Sequence, residues 1–222
     1  MKRTTSLNLT SGPILKTLSE LALPIMASSM LATAYNITDM AWIGMLGAKA
    51  VAGVGVGGMY VWLSQGLASL PRMGGQVHAA QACGRGEYEK ARSYASSAMQ
   101  LSLFFGLLFS AACVLFIDPL LGFFQLDDAN TYASARSYML ITCGLLVFSY
   151  LNLTLTGLST AQGDSKTPLM ANLLGLISNM ILDPLLILGI GPFPRLETVG
   201  AAIATVTAQI LVFLVLLIKS LR

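Results

Sequence analysis

The 222-residue chain is too poor in charge for a soluble domain of its length, since 55% of its residues are hydrophobic and only 10% are charged. About a quarter of the residues in an ordinary soluble domain are charged, and that charge covers the domain's surface. The formal net charge of +3 is small. Its basic residues lie mostly in short segments between apolar runs, which excludes a nucleic-acid-binding surface.

The charges divide the chain into six uncharged runs. Each run has about the length that an α-helix needs to cross a bilayer, roughly 17 to 25 residues. We therefore predict an all-α membrane protein with six transmembrane helices, at about residues 14–46, 51–82, 88–117, 131–162, 167–190 and 197–219. The uncharged runs are Leu21–Thr38, Val51–Leu70, Ser93–Ile117, Ser137–Gly163, Thr167–Leu182 and Thr198–Ile218.

The first apolar segment is predicted to remain in the protein as a helix rather than to be cleaved as a signal peptide. It is too long for that role, has no small-residue cleavage site and contains Pro24 and Asp39. Pro24 removes one backbone hydrogen bond and is a predicted kink. The cysteines Cys83, Cys113 and Cys143 fall in different helices, which suits buried thiols rather than a disulfide framework or a metal site.

Turn-forming residues separate the later spans. Glycine and alanine are abundant over Gly47–Gly58, as expected for a turn that leads into a closely packed helix. Gly84–Lys90 follows span 2, Asp118-Pro119 ends span 3, and Gln162–Pro168 joins span 4 to span 5.

Basic residues are distributed unequally between the two sides of the predicted bundle. With the N-terminus inside the cell, nine lie in cytoplasmic segments and three in outer loops, which follows the positive-inside rule. We therefore expect a multi-pass protein of the plasma or inner membrane with both termini in the cytoplasm. The nine are Lys2, Arg3, Lys16, Arg85, Lys90, Arg92, Lys166, Lys219 and Arg222, and the three are Lys49, Arg136 and Arg195.

Three charged residues, Asp39, Arg72 and Asp183, are predicted to lie at membrane depth. An ionised side chain at mid-bilayer costs about 2.5 to 3.5 kcal/mol, so such residues usually have a function. The alternative for either aspartate is that it caps a helix end near the outer surface. Arg72 is expected to pair with a buried carboxylate or to extend toward the cytoplasm. His78, the only histidine, is expected to be a packed or interfacial side chain.

The two aspartates are predicted to share one site. Asp183 lies about 22 Å along span 5 from its cytoplasmic start, at 1.5 Å per residue. Asn179, four residues earlier, shares its helix face, and Pro184 weakens the adjacent hydrogen-bond ladder. Span 1 brings Asp39 to the same outer half of the membrane, and span 6 places Thr205 a turn or two below its outer end.

Oxygen atoms of carboxylates, amides and hydroxyls are suitable ligands for a proton or Na⁺ in a dry cavity. Burial favours the neutral form of a carboxylic acid, and a second carboxylate nearby favours it further. The pattern therefore predicts a cation-binding site that needs no cofactor.

No enzyme motif is found in the chain. Gly53, Gly55 and Gly57 form a Gly-x-Gly-x-Gly pattern, but they lie inside an apolar helix rather than after a strand, so a nucleotide-binding interpretation fails. No segment of the sequence has the pattern of a phosphate-binding loop. We therefore predict neither an enzyme nor an ATP-driven pump.

Several segments, in order along nearly the whole chain, resemble the multidrug and toxic compound extrusion (MATE) transporters. The most specific is Asn179–Pro184, which matches the Asn-x-x-x-Asp-Pro pattern of that family. The others are Leu21–Pro24, Tyr35–Asp39 with Gly44, Gln81–Gly86 with Ala91, Gln162–Pro168 and Gly200–Thr205.

The resemblance implies the N-terminal six-helix lobe of a twelve-helix MATE-type transporter of the MOP superfamily, an antiporter that exports cationic lipophilic compounds in exchange for H⁺ or Na⁺. Its partners would be the lipid bilayer, an organic cation, and a second six-helix lobe or half-subunit. No cofactor is implied, and no metal beyond Na⁺. Carried over by position, the cation site is Asp39, Asn179, Asp183 and Thr205, with Tyr35, Asn36, Thr156 and Arg72 as accessory candidates and Pro24 and Pro184 as hinges.

Two other functions stay open at this point. A flippase for lipid-linked sugars, from the same superfamily, would need several cationic residues in its cavity, and Arg72 alone gives little support. A half-length subunit that only assembles or regulates is favoured by the short chain, whereas intact Asp39 and Asp183 argue against it.

The charge distribution makes a prediction about topology. Tags inserted near Arg85 and Lys166 should be protected from an impermeant reagent in intact cells, while tags near Asp128 and Arg195 should be labelled, because nine basic residues lie on one side and three on the other. The opposite labelling pattern would contradict the predicted orientation.

Overall fold

The computed structural model describes residues 14–126, 128–190 and 194–220. Within these ranges the regular elements are all helices, as the sequence predicted, and no strand is present. The basic residues Lys2, Arg3 and Arg222, together with the side chain of Lys16, lie outside the described residues. The helices are α1 (Ile14–Gly44), α2 (Ala48–Gly84), α3 (Tyr88–Leu115), α4 (Ile117–Gly122), α5 (Ala129–Gly144), α6 (Leu146–Ala161), α7 (Lys166–Ile187) and α8 (Glu197–Ser220).

Three of the described helices, α3, α7 and α8, are long and apolar enough to cross a membrane, and the pair α5–α6 counts as a fourth span. Helices α1 and α2 contain 31 and 37 residues. At 1.5 Å per residue they are about 46 and 55 Å long, which exceeds the roughly 30 Å hydrocarbon core of a bilayer. Where each helix enters and leaves the membrane stays a prediction.

The fourth predicted span, 131–162, is divided in the structure. Helices α5 and α6 meet at Leu145 with a bend of 45°, and Leu145 has φ −112° and ψ 20°, outside the helical region. Gly144 precedes the break, and glycine has one of the lowest helix propensities. The sequence pattern of apolar residues continues through this point, so it gave no sign of the bend.

Helix α2 forms the centre of one group and packs against α3, α5 and α6. Helix α7 forms the centre of a second group and packs against α8 and α1, while α8 also contacts α5 and α6. Small residues allow these contacts. A Cβ at Gly106 of α3 would lie 3.0 Å from Cα of Val147 in α6, and one at Gly175 of α7 would lie 2.5 Å from Cγ2 of Val212 in α8. Such close helix approach is typical of membrane bundles.

The outer surface of the bundle is strongly apolar. Trp62 is 77% exposed and Leu115 is 76% exposed, and many other large apolar side chains of α1, α2, α3 and α7 are also exposed. A soluble protein rarely exposes so continuous an apolar surface. This surface is what a bilayer-embedded bundle presents to lipid.

Two ends of the bundle can be distinguished by their ion pairs. The Lys49 end contains the α1–α2 turn and the starts of α5 and α8, and the Arg85 end contains the α2–α3 and α6–α7 turns. All three basic residues predicted for the outer loops are paired at the Lys49 end. The pairs are Lys49–Asp128 at 2.7 Å, Arg136–Asp118 at 3.1 Å and Arg195–Glu197 at 3.4 Å.

Asp128 also caps helix α5. Its side chain accepts a hydrogen bond from the backbone N–H of Thr131 at 2.9 Å. The hydrogen bond from Lys49, together with those from Thr131, lowers the pKa of Asp128 to about 2, so the ion pair persists at neutral pH.

Most basic residues at the Arg85 end are unpaired. Lys90 pairs with Glu87 at 3.1 Å. The remaining described basic side chains of this end form no ion pair with described residues, so the structure leaves this end with the greater uncompensated positive charge, as a cytoplasmic side would have. They are Arg85, Arg92, Lys166 and Lys219.

The α2–α5 contact makes a prediction about stability. A Cβ at Gly53 would lie 3.0 Å from both the backbone nitrogen of Ala135 and the backbone oxygen of Thr131. Because backbone atoms cannot move aside, Gly53→Ala should destabilise the protein by about 1–3 kcal/mol and lower its melting temperature by at least about 3 °C. The matched control is Gly55→Ala in the same helix, where a Cβ meets nothing within 4 Å.

Melting can be followed with a thiol-reactive dye, because Cys113 and Cys143 are buried in the folded chain. Gly55→Ala should leave the melting temperature unchanged or raise it slightly. If Gly53→Ala melts at or above the melting temperature of Gly55→Ala, the described α2–α5 contact is wrong.

Candidate functional site

Both aspartates that the sequence placed at membrane depth are buried in the bundle. Asp183 of α7 is 0% exposed, Asn179 one turn away is 1% exposed, and Asp39 of α1 is 9% exposed. Helices α1 and α7 pack against each other. Asp39 and Asp183 lie close enough to interact electrostatically.

These buried side chains have more polar atoms than hydrogen-bond partners. Both carboxylate oxygens of Asp183, Oδ1 of Asp39, and both polar side-chain atoms of Asn179 are buried without a well-aligned hydrogen bond to any described residue. The Asn179 amide nevertheless lies close enough to the Asp183 carboxyl group to interact with it. A buried polar atom left without a partner costs about 1–3 kcal/mol, and native proteins contain few of them. Five such atoms on three residues make this cluster the candidate site, and four of the five are oxygens that could face a cation.

Thr205 of helix α8 reaches this site by a contact with a residue of α1. The hydroxyl of Tyr35 donates a hydrogen bond to Oγ1 of Thr205 at 3.1 Å. Tyr35 is one helical turn before Asp39, and it lies within electrostatic reach of both Asp39 and Asp183. Of the accessory candidates, Tyr35 is therefore the one that the structure brings to the site.

The close approach of α8 to the end of α7 explains how Thr205 reaches the site. The backbone N–H of Leu196 donates to the carbonyl of Leu186 at 2.9 Å. A Cβ at Gly200 would collide with that same carbonyl. Glycine at this position lets the first turn of α8 lie directly against the last turn of α7.

Sequence reasoning missed Tyr138 of α5. Its side chain is 7% exposed and lies within electrostatic reach of Asp39 and Asp183. Gly57 of α2 makes room for the ring, since a Cβ there would lie 2.8 Å from Cδ1 of Tyr138. The available signal was the glycine-rich stretch of α2, which had to face a bulky residue in some neighbouring helix.

A second missed residue is Asn152 of α6. Its Nδ2 donates to the backbone oxygen of Gln209 in α8 at 2.8 Å, while its Oδ1 is buried and has no described partner. Gln209 is one turn beyond Thr205. The polar group that α6 offers to α8 is thus Asn152, whereas Thr156 is half-buried and its carbonyl accepts a hydrogen bond from Thr160.

Two other accessory candidates lie away from the cluster. Asn36 is exposed on α1 and forms no side-chain hydrogen bond with a described residue. Arg72 was expected to pair with a buried carboxylate or to extend toward the cytoplasm. The first expectation is wrong for the described residues, where Arg72 forms no ion pair and its Nε is buried without a hydrogen-bond partner.

The two predicted hinge prolines both lie inside helices. Helix α1 runs through Pro24 and α7 runs through Pro184. Pro184 has no N–H, so the carbonyl of Met180 lacks the donor that a helix normally supplies four residues later. The carbonyl of Pro184 itself accepts from the N–H of Leu188 at 3.3 Å. The role of either proline as a hinge stays a prediction.

The donor set of the site is made of oxygen atoms from carboxylates, an amide and hydroxyls. No group of three or more His, Cys, Asp and Glu side chains that could hold a metal occurs among the described residues, so any bound cation would depend on neutral oxygens as well as the two acids. Such a set fits Na⁺, which takes oxygen ligands, and either carboxylate can take a proton. The unpartnered oxygens of Asp39 and Asp183 are the atoms that would bind either ion.

Comparisons with known proteins match this chain to one family. Residues 24–185 match the model of the MatE family. The chain is 31% identical over 197 residues to "Probable multidrug resistance protein NorM" of Thermotoga maritima, covering 88% of this chain and 42% of the relative. It is also 31% identical to "FAD transporter" of Shewanella oneidensis, covering 89% of this chain and 43% of that relative.

Solved structures agree with the sequence comparison. One is the outward-facing conformation of a multidrug resistance MATE family transporter of the MOP superfamily, with a TM-score of 0.85, 26% identity, and coverage of 97% of this chain and 47% of the other. Another is a MOP superfamily transporter from Pyrococcus furiosus, with a TM-score of 0.85, 25% identity and the same coverages. The chain therefore spans slightly less than half the length of the relatives it matches.

The unpartnered carboxylate makes a prediction about stability. Asp183→Asn should insert and fold normally, and its melting temperature should be unchanged or a few degrees higher, because the change removes a charge that no described residue compensates. Asp118→Asn is the control, since Asp118 is exposed at the Lys49 end and accepts hydrogen bonds from Tyr132 and Arg136. A melting temperature more than about 3 °C lower for Asp183→Asn would mean that the carboxylate has a stabilising partner.

Proposed function

This chain belongs to the MatE family of membrane transporters, and from that membership we propose that it forms the N-terminal lobe of an antiporter that exports organic cations in exchange for H⁺ or Na⁺. The observation that carries this proposal is the burial of the Asp39 and Asp183 carboxyl groups on packed helices, where three of their four oxygens have no well-aligned hydrogen bond to a described residue. The protein would lie in the cell membrane with both termini in the cytoplasm. Its function would require no covalent chemistry and no cofactor.

The proposed coupling site lies between α1, α7 and α8. Without a bound cation, ionised Asp39 and Asp183 repel each other, and the repulsion is strong where water is excluded. A proton on one of them, or a Na⁺ between them, removes that repulsion and satisfies oxygens that are otherwise unpartnered. Asn179 and Thr205 supply neutral oxygens beside the acids.

Helix α1 is the element best placed to respond to the ion. It packs mainly against α7 and has only limited contacts with α2 and α8, and much of its apolar surface is exposed, including Leu15 at 77% and Met30 at 73%. Its polar links to the rest of the site are Asp39 and the hydrogen bond from Tyr35 to Thr205. A cation that draws Asp39 toward Asp183 therefore favours the position of α1 against α7. Such a difference in ion affinity between two states is what lets a gradient drive transport.

A second six-helix lobe completes the proposed transporter. Alternating access in such proteins is largely the rocking of one bundle against another around a central site. The chain spans 42% of the Thermotoga maritima relative, which leaves room in that relative for a second bundle. The opposing wall would be a further lobe of the same polypeptide or a second half-subunit.

The printed names of the relatives differ in substrate, since one is a probable multidrug resistance protein and another is an FAD transporter. We propose organic cations, because the charges that α1 and α7 contribute to the site are acidic. A lipid-linked-sugar flippase is less well supported, because Arg72 is the single basic residue that the described part of the chain places within a predicted span away from its ends. A subunit that only assembles or regulates gives no role to the buried acids.

The central prediction concerns the two carboxyls. In proteoliposomes that contain this lobe together with a second lobe, Asp39→Asn and Asp183→Asn should each reduce gradient-driven export of a fluorescent organic cation at least about tenfold, because the group whose ion affinity differs between the two states is lost. Asp118→Asn, at the exposed Lys49 end, should retain export.

The measurement is cation efflux after an imposed H⁺ or Na⁺ gradient, with the amount of inserted protein determined in the same samples. Full export by both Asn variants would refute the site. The lobe alone should insert without exporting, since it has no opposing wall. If this chain alone exports the cation, a separate second lobe is not required, and two copies of the chain would form a functional homodimer.

A further inference from the structure

Helix α2 has one polar face within an otherwise apolar helix. Gln65, Ser69, Arg72 and Gln76 are spaced four, three and four residues apart, which places them on one side of the helix. The large apolar residues that flank Arg72, Leu70 and Met73, are 59% and 54% exposed. The polar face is therefore distinct from the lipid-facing side.

Arg72 is partly buried and has no hydrogen-bond or ion-pair partner among the described residues. Its Nε is shielded from solvent without a hydrogen bond, and Oε1 of Gln76, one turn further on, is likewise buried and unpartnered. Arg72 takes part in none of the ion pairs among the described residues. These two side chains are outside the acidic cluster of α1 and α7.

Helix α6 packs closely against both side chains. A Cβ at Gly157 would lie 3.1 Å from Cγ of Arg72 and 3.1 Å from Oε1 of Gln76. Any larger residue at position 157 would press against them. Glycine here lets the backbone of α6 lie directly against the Arg72 stem and the Gln76 amide oxygen, which buries Nε of Arg72 and Oε1 of Gln76.

Packing alone does not account for a guanidinium at this depth. Arg72 is twelve residues before the end of α2 at Gly84, or about 18 Å at 1.5 Å per residue. An apolar side chain of similar length would pack there without the penalty of placing a charge in the membrane, and that penalty is normally offset by pairing. No acid of the described chain provides the pairing.

We propose that Arg72 and Gln76, beside Gly157, form a binding site for an anionic group of the phosphate type. A guanidinium presents a fixed fork of N–H donors that matches two phosphate oxygens, and the Gln76 amide adds a further donor. The phosphate is carried either by a soluble organic compound or by a phospholipid headgroup. In the first case the site extends the substrates of the proposed transporter to zwitterions and phosphate esters, and that extension rests on the proposed function.

The test is a comparison of two fluorescent probes that differ by one phosphate ester, flavin mononucleotide and riboflavin. The full chain in a maltoside detergent, which carries no phosphate, should bind flavin mononucleotide at least about tenfold more tightly than riboflavin, which is the effect of one charge-assisted hydrogen-bonded pair. Arg72→Gln should abolish the preference. Arg92→Gln is the matched control, because Arg92 is an exposed arginine near the Arg85 end and its loss should leave the preference intact.

A second arm distinguishes a lipid source from a soluble one. Native mass spectrometry would count the phosphatidylglycerol retained by the parent chain and by Arg72→Gln after purification from mixed nanodiscs. Retention that depends on Arg72 identifies a phospholipid headgroup, and a flavin mononucleotide preference that persists in phosphatidylglycerol identifies a soluble compound. If Arg72→Gln changes neither quantity, the anion site does not exist.

Two features keep this test independent of folding and of transport. Arg72→Lys retains the charge without the fork and should keep part of the phosphate preference, so a folding defect in Arg72→Gln does not remove the comparison. Phosphate binding is measured without an ion gradient. Its result therefore does not depend on whether the chain exports organic cations.

Discussion

The burial of two like-charged carboxyl groups between packed helices is the constraint on which the rest of the structure depends. Asp183 is fully buried and Asp39 nearly so, and three of their four oxygens have no well-aligned hydrogen bond to a described residue. Two ionised acids in such surroundings are unstable without a cation, because repulsion and desolvation act together. In the proposed transporter, a proton or a Na⁺ at this place would remove that repulsion and would link α1 to α7.

The remaining helices hold that pair in position with small residues. Gly57 leaves space for the Tyr138 ring beside the acids, and Gly200 lets α8 lie against the end of α7 so that Thr205 reaches Tyr35. These contacts leave α2, α3, α5 and α6 closely packed and α1 more exposed. Helix α1 carries Asp39 and is less constrained than these four helices. Such an arrangement is suited to a conformational change that depends on ion binding.

Much of this architecture could be predicted from the sequence, because membrane insertion imposes strong patterns on it. Uncharged runs predicted the helices, and the spacing of Asn179 and Asp183 predicted their common face. Tyr138 and Asn152 were missed because a tyrosine or asparagine within an apolar run carries no signal of which neighbour it meets. The bend at Leu145 was missed since Gly144 is one of many glycines. Arg72 was expected either to pair with a buried carboxylate or to extend toward the cytoplasm, and among the described residues it has no acid partner. A sequence shows charges without their distances, so it could not decide between the two.

Cation binding by Asp39 and Asp183 can be measured by carbodiimide labelling of the purified chain, mapped by mass spectrometry. Dicyclohexylcarbodiimide reacts with protonated carboxyl groups in apolar surroundings. We expect Asp39 or Asp183 to be labelled more than the exposed acids Glu197 and Glu89. This labelling should fall when Na⁺ is added or the pH is raised, because either change removes the proton from the carboxyl group. Labelling of both aspartates that does not exceed that of the exposed acids, and that responds to neither Na⁺ nor pH, would contradict cation binding by these two residues.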